Sequence, residues 1–270
     1  MDRHQRRNVP QVRHSMNLNV LQKGATVHTD PYPHIIIEDA LPWDVYEELE
    51  RTFPENAVLS TEPFDGGICY RWKADKLLQE AFKPEIWRDF CAFHTSAEYV
   101  NQCFKLFEPH LPEQLKRDFT TEEVCARGWT EPKHNIHTDC QLVMHKPITE
   151  RTSRTPHLDN PIEIYAGLLY MPHPDDTGTG GEFQVHASQG KVQQVNKTLG
   201  RQVPESNDGG VVKTVPYKRN TFAMFLNTQD AIHSVSLRER PTQYRRSVNI
   251  IGEFKDRGYG RMWRVNEIKN

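Results

Sequence analysis

The chain has 270 residues, of which 36% are hydrophobic and 26% are charged, and its formal net charge at pH 7 is -2. This length fits one large domain, or a core domain with an appended helical part. The near-neutral charge gives no support for a nucleic-acid-binding protein, because such proteins usually carry a basic face.

The N-terminal residues are polar and Arg-rich, and residues 1–16 are predicted to form a flexible tail. We expect neither a secretory signal nor a membrane span, since no run of 18 apolar residues exists. The five cysteines are odd in number and contain no C-x-x-C pair. A disulfide framework or a zinc knuckle is therefore not expected. We expect a reducing, cytoplasmic location instead.

Residues 17–121 are predicted to be mainly helical and to support the rest of the domain. A β-branched run at 34–38 predicts one strand, and the apolar spacing that follows predicts helices from Leu41 to Phe53 and over 84–94. Thr95-Ser-Ala-Glu98 fits a capping box that opens another helix. Residues 111–119 predict one more short helix.

From about residue 122 the pattern changes to short apolar runs separated by Pro, Gly, Asn and Asp. Such runs predict an antiparallel sandwich or barrel over residues 122–255, followed by a C-terminal extension at 256–270. Residues 17–270 are thus predicted to form a single domain. The predicted strands are 141–145, 162–171, 182–186, 210–215, 221–226 and 244–254. Two polar segments, 146–155 and 191–208, are predicted to be long surface connections.

A His-x-Asp pair, His157 and Asp159, comes directly before the predicted strand at 162–171. Two His and one carboxylate bind Fe(II) in non-haem oxygenases and leave other positions open. Residues i and i+2 of an extended chain point to the same side, as this spacing requires. The third ligand is predicted to be a distant histidine, His233. His173 and His186 are weaker alternatives.

A rival pair, His137 and Asp139, lies twenty residues upstream and is preceded by His134. No Gly-Gly hairpin or apolar strand follows this pair at the expected distance. We therefore favour His157 and Asp159, although Asp-Asn-Pro is also an ordinary turn signal. The rival pair remains a candidate for lining the pocket.

The predicted strand at 244–254 has two faces. Val248 and Ile250 are expected to face the helical layer, which turns Arg245, Ser247 and Asn249 toward the interior of the sandwich. An inward arginine needs an anion, because a buried unpaired charge is costly. A guanidinium with a hydroxyl two residues later grips a carboxylate well, and the Tyr170 phenol is a further candidate donor.

In this order, His157-x-Asp159, His233 and Arg245-x-Ser247 resemble the Fe(II)/2-oxoglutarate-dependent dioxygenases. The chain is most similar to their prolyl-4-hydroxylase-like branch, through "GLLYMP" after His-x-Asp, "GGEF" at 180–183 and "YPHIIIEDALP" with "YEELERTFP" near the N-terminus. Together these motifs cover roughly residues 30–255.

The resemblance implies an α+β, mainly β fold: a double-stranded β-helix, or jelly roll, with helices of the N-terminal half packed on its major sheet. It also implies Fe(II) ligation by His157, Asp159 and His233. Its implied cosubstrates are O2 and 2-oxoglutarate, the latter held by Arg245, Ser247 and Tyr170. There is one departure from this branch, whose basic residue follows the distal histidine more closely than Arg245 does. Arg246 therefore remains a competitor of Arg245, although strand parity favours Arg245. Asn227 and Asn249 are weaker candidates for contact with the cosubstrate.

The implied reaction is hydroxylation of a C–H bond in a small molecule or a peptidyl substrate, prolyl substrates included, with release of succinate and CO2. Asp159 argues against halogenation, which in this family needs an open position for halide there. One alternative is a cupin-type metal enzyme that does not use 2-oxoglutarate, and another is a non-catalytic jelly-roll binding module. If the chain is an oxygenase, segments 146–155 and 191–208 are candidates for closing over the substrate.

Overall fold

The computed structural model describes residues 17–63, 66–128, 133–152, 154–198 and 200–268, so the predicted tail at 1–16 lies outside the described residues. The helices are α1 (Trp43–Arg51), α2 (Glu55–Leu59), α3 (Ala74–Leu77), α4 (Glu85–His94) and α5 (Ala97–Phe107). Three short 3-10 helices cover Glu108–His110, Glu113–Leu115 and Glu205–Asn207. The strands are β1 (His34–Ile37), β2 (Cys69–Trp72), β3 (Val124–Ala126), β4 (Ile136–His145), β5 (Glu163–Tyr170), β6 (Phe183–Ser188), β7 (Gln194–Asn196), β8 (Asp208–Val215), β9 (Phe222–Leu226), β10 (His233–Val235), β11 (Arg245–Phe254) and β12 (Asn266–Ile268).

In the N-terminal half, the predicted strand and the helices at 43–51, 85–94 and 97–107 are confirmed. Two details were wrong. The N-cap of α5 is Ser96, whose hydroxyl accepts the Tyr99 N–H, and not Thr95. Residues 111–119 contain only a 3-10 turn at Glu113–Leu115. The short strand β2 was not predicted, because its four residues show no alternation of apolar and polar side chains.

The strands form two main sheets. The larger one has the order β1-β9-β5-β11-β4-β2 with β3 paired in parallel on β4, and the smaller one has the order β10-β6-β8. A third, parallel pair joins β12 to β7. All six predicted strands are present, so the chain is sheet-rich as expected. The strands β7, β10 and β12 have three residues each, too few for periodicity to reveal them.

The larger sheet separates two hydrophobic cores. One core contains Val248 and Ile250 of β11 and the apolar faces of α1, α4 and α5. The other lies between the larger and the smaller sheet and contains Tyr170, Phe183 and Phe225. The alternation predicted for β11 is therefore confirmed, and the side chains of Arg245 and Ser247 lie on the face turned toward the smaller sheet.

All five cysteines are buried, and none of them forms a disulfide among the described residues. Among the described residues, no helix combines the length and the apolar character needed to cross a membrane.

His94 at the end of α4 gives the fold a defined acid sensitivity. Burial lowers the pKa of His94 to about 3, although its Nδ1–H donates to the Phe90 carbonyl at 2.8 Å. As the pH falls from 6.5 toward 3, the His94 imidazole therefore binds a proton in the unfolded chain but stays neutral in the folded chain. The contribution of His94 therefore lowers the free energy of unfolding as the pH falls through this range, and it has no effect above pH 6.5.

We expect His94→Gln to remove about 2 to 3 kcal/mol of the pH dependence of the unfolding free energy between pH 6.5 and 4.5. Urea unfolding of the metal-free protein at several pH values measures this slope. The exposed His110 offers a matched control, and His110→Gln should keep the wild-type slope. An unchanged slope in His94→Gln would contradict the assignment.

Candidate metal centre and its buried arginine

Three side chains able to bind a metal meet where β10 begins. The backbones of His157 and His233 pair with each other, through N–H to O distances of 3.0 and 3.1 Å. Asp159 follows two residues after His157. One ligand atom from each of the three lies within 4.8 Å of the others, and the described residues contain no other group of three or more such side chains.

Both imidazoles have a fixed orientation. Nδ1–H of His157 donates to the Thr155 carbonyl at 2.7 Å, and Nδ1–H of His233 donates to the Ala231 carbonyl at 2.9 Å. Each ring therefore presents its Nε2 lone pair to Asp159, whose two oxygens lie 3.7 and 3.6 Å from the two Nε2 atoms. Such a backbone acceptor on the far nitrogen is the usual support of a metal-binding histidine.

The electrostatics of this group suit a divalent cation. Burial, and then the neighbouring His233, lower the pKa of His157 to about 3, so its ring is neutral at pH 7. Burial alone would raise the pKa of Asp159, but His233 and His157 bring it below its ordinary value. Glu163 nearby has its pKa raised to about 8 by burial and by the charges of Asp159 and Glu253. Two neutral imidazoles and a carboxylate match an Fe(II) donor set, while Glu163 adds little negative charge at pH 7.

A buried hydrogen-bond network holds the turn that follows Asp159. The Asn227 amide donates to the carbonyls of Asn160 and Glu163 at 2.7 and 2.9 Å. Its own oxygen accepts the indole N–H of Trp263 at 3.1 Å. All these bonds go to protein groups, which agrees with the structural role that sequence reasoning favoured for Asn227 over contact with iron-bound water or cosubstrate.

The other histidines proposed from the sequence have different partners. His137 and Asp139 lie within β4, where Asp139 accepts the Ala74 N–H at 3.0 Å and forms an ion pair with Arg127, whose Nε lies 2.8 Å from it. His186 is 2.7 Å from both Asp208 and Ser234. His173 lies beside Glu55 and Asp175 in a turn after β5.

Arg245 is buried on the inner face of the larger sheet. Its Nε–H donates to the Gly181 carbonyl at 2.8 Å, and the guanidinium carbon lies 5.3 and 5.1 Å from the ring centres of Tyr170 and Tyr217. Nη2 is buried with no partner among the described residues. Gly181 has φ +85°, and a Cβ there would lie 3.2 Å from the arginine stem, so glycine makes this close approach easy.

The residues predicted to accompany Arg245 lie next to it. Ser247 is directly opposite Tyr170 in the register of β11 and β5. The Tyr170 oxygen accepts the Phe183 N–H at 2.7 Å, which leaves its own O–H to donate. Ser247 donates to Asn249 at 3.0 Å. The Phe183 ring packs 5.5 Å from that of His233, so Phe183 lies between His233 and Tyr170, the residue whose ring faces Arg245.

Arg246 lies on the opposite face of β11, and its environment differs from that of Arg245. Its guanidinium donates to the carbonyls of Met171 and Pro172 at 2.9 and 3.3 Å and to Glu55 at 3.0 Å. The described structure therefore leaves Arg245, and not Arg246, with a free donor that is buried.

Sequence reasoning missed His145, which lies opposite Arg245 in the register of β4 and β11. Both ring nitrogens are buried without a hydrogen-bond partner in the described part of the chain. Burial, and then the charge of Arg245, hold its pKa well below the ordinary value, so the ring is neutral. No sequence signal marks this residue, because its importance depends on the pairing register of two distant strands.

Segment 191–208 is more ordered than a surface connection. It contains β7, and the Leu158 N–H donates to the Arg201 carbonyl at 3.3 Å. Gln202 forms isolated bridges with His157 and Asn196. The segment is thus anchored to the chain that carries His157 and Asp159.

Comparison with solved structures finds several chains at low sequence identity. A prolyl-4-hydroxylase from Pseudomonas putida is 12% identical, with a TM-score of 0.44, over 82% of this chain and 91% of that one. The auxin-oxidising dioxygenase DAO1 of Arabidopsis thaliana, with 2-oxoglutarate, is 14% identical, with a TM-score of 0.45, over 82% of each chain. A prolyl hydroxylase of Trichoplax adhaerens, with a peptide of hypoxia inducible factor, is 10% identical, with a TM-score of 0.43, over 90% and 89%. No family model matches the chain, and no curated protein does.

Proposed function

We propose that the protein is an Fe(II)- and 2-oxoglutarate-dependent oxygenase that hydroxylates a C–H bond of a small molecule or a peptide. We assign Fe(II) to His157, Asp159 and His233. We assign the distal carboxylate of 2-oxoglutarate to Arg245, with Tyr170 and Ser247 as neighbours. The two sheets that face each other across the second core support a double-stranded β-helix.

One observation carries this proposal: a buried guanidinium with a free donor lies over Tyr170, and Phe183, which bonds Tyr170, packs against His233 of the three oriented metal-ligating side chains. A buried cation without a counter-charge is costly, so a bound anion would stabilise it. A metal enzyme that uses no anionic cosubstrate, such as a cupin-type enzyme, would have no need for this arginine. A non-catalytic module would need neither group.

The chain's own residues have distinct tasks in this proposal. Fe(II) at the site would supply activation of O2, coupled to oxidative decarboxylation of 2-oxoglutarate to succinate and CO2. His157 and His233 would hold the metal through their Nε2 atoms and Asp159 through its carboxylate. Arg245 offers its free N–H to the distal carboxylate, and Tyr170 has an O–H that can join it. Phe183 and Phe225 pack against His233 and exclude water from that side.

His145 extends the anion subsite. A neutral imidazole carries one N–H donor and one acceptor, so His145 can donate to a carboxylate without adding charge beside Arg245. Substrate is expected to enter from the side of Glu163 and the metal, where segments 146–155 and 191–208 meet the ligand-bearing chain. We also propose a cytoplasmic location, since five cysteines that form no disulfide among the described residues suit a reducing compartment.

The function is tested by anaerobic titration of 2-oxoglutarate into protein loaded with Fe(II), followed by admission of air and measurement of succinate. We expect binding that requires the metal, and slow formation of succinate in the absence of substrate. Protein without Fe(II) serves as the control. If 2-oxoglutarate does not bind to the loaded wild-type protein, the proposal is wrong.

A further inference from the structure

The segment 257–267 and Arg201 enclose a cavity toward which four arginines converge. Arg201, Arg257, Arg261 and Arg264 all line it. Three of them, from the C-terminal segment, also line an adjoining open cleft of about 470 Å³. We refer to these four residues and the space between them as the arginine cleft.

Positive charge in the arginine cleft exceeds the negative charge around it. Glu267 is the one carboxylate among the residues that line the cavity. Glu267 lies 3.8 Å from Arg257 and also 3.1 Å from Lys197, so its charge is shared between two cations. Within the described residues, Arg201, Arg261 and Arg264 form no ion pair. Like charges brought together repel each other, and a bound anion would relieve this repulsion.

Contacts between separate parts of the chain bring the C-terminal segment next to Arg201. The Met262 N–H donates to the Pro161 carbonyl at 2.7 Å, and buried Trp263 is tied to Asn227. The pairing of β12 with β7 brings the end of the chain alongside segment 191–208. Arg201 itself has φ +62°, a left-handed conformation that few non-glycine residues adopt. Arg257, Arg261 and Arg264 are exposed and Arg201 is half-buried, so the arginine cleft is open to solvent, while buried Trp263 and the backbone bonds fix the segment that carries three of the arginines.

We propose that the arginine cleft binds a phosphate-bearing small molecule. A phosphate dianion offers three oxygens to several guanidinium groups at once, whereas one arginine satisfies a carboxylate. Val195, Trp263 and Val265 line the same cavity and provide an apolar wall for an attached carbon skeleton. Pro161, two residues after Asp159, also lines it, so the bound molecule lies beside the chain that carries the metal ligands. This site is independent of the proposed oxygenase activity.

The test is calorimetric titration of the full-length protein with inorganic phosphate, and with malonate in parallel. We expect wild-type protein to bind phosphate, and a double variant, Arg261→Gln with Arg264→Gln, to bind it about ten-fold or more weakly. A control double variant, Arg240→Gln with Lys105→Gln, loses the same charge at exposed positions elsewhere and should keep wild-type affinity within about two-fold. Thermal unfolding of each variant shows that all of them are folded.

Each of the following outcomes would overturn the proposal. The first is the absence of phosphate binding to wild-type protein. The second is an equal loss of affinity in both double variants, which would show only a general charge effect. The third is equal affinity for malonate, which would remove the specificity for phosphate. Phosphate affinity should also persist in Arg245→Gln, because a loss there alone would place the anion at the buried arginine instead.

Discussion

Replacing His157 or His233 with alanine is expected to weaken Fe(II) binding by more than about a hundred-fold, since changes even to the groups that support metal ligands typically cost ten- to a hundred-fold. Each variant leaves one imidazole and one carboxylate, and a two-ligand site loses the geometry that holds the cation. Succinate formation from 2-oxoglutarate should disappear in parallel. Anaerobic Fe(II) titration followed by the succinate assay measures both effects.

The matched control for this experiment is His137→Ala, in the rival His-x-Asp pair. His137 lies in β4, and Asp139 is occupied by Ala74, Gln141 and Arg127. We expect Fe(II) affinity to remain within a few-fold of wild type in this variant. Iron loading lost in His137→Ala but retained in His157→Ala would move the metal centre to β4 and contradict the assignment made here.

How far the site could be predicted depended on whether its signal was local. His157 and Asp159 are two residues apart before an apolar strand, and the two-residue period of β11 separates Arg245 from Arg246. The spacing of two residues and the alternation of side chains along a strand can be determined from the sequence. The structure accordingly places these residues as predicted. The roles of the residues in binding stay predictions.

Features that depend on strand pairing could not be predicted. His145 is important only because β4 pairs with β11 in the register that sets it opposite Arg245. Asn227 is important because the indole of Trp263, 36 positions away, reaches it. The C-terminal segment looked like an extension, yet β12 pairs with β7. Periods of two or 3.6 residues describe one element, whereas these contacts need the arrangement of several.

Arg245→Ala and Arg246→Ala are expected to have opposite effects. Arg245→Ala should raise the Kd for 2-oxoglutarate by about a hundred-fold or more, because losing one partner of a buried hydrogen-bonded charge pair costs 2–5 kcal/mol. The same change should lower the stability of the unliganded protein less than Arg246→Ala does, since it removes one hydrogen bond, to the Gly181 carbonyl, and a guanidinium whose Nη2 is buried and unpaired.

Arg246→Ala should instead lower the unfolding free energy by about 2–4 kcal/mol, because it removes bonds to Glu55, Met171 and Pro172 and leaves buried acceptors unmatched. Its affinity for 2-oxoglutarate should stay within a few-fold of wild type. Urea unfolding without ligand and calorimetric titration with 2-oxoglutarate and Fe(II) separate the two variants. The reverse pattern, with affinity lost in Arg246→Ala and kept in Arg245→Ala, would show that the cosubstrate binds on the helical face of β11. The assignment of 2-oxoglutarate to Arg245, which rests on the alternation of side chains along β11, would then be wrong even if the protein is an oxygenase.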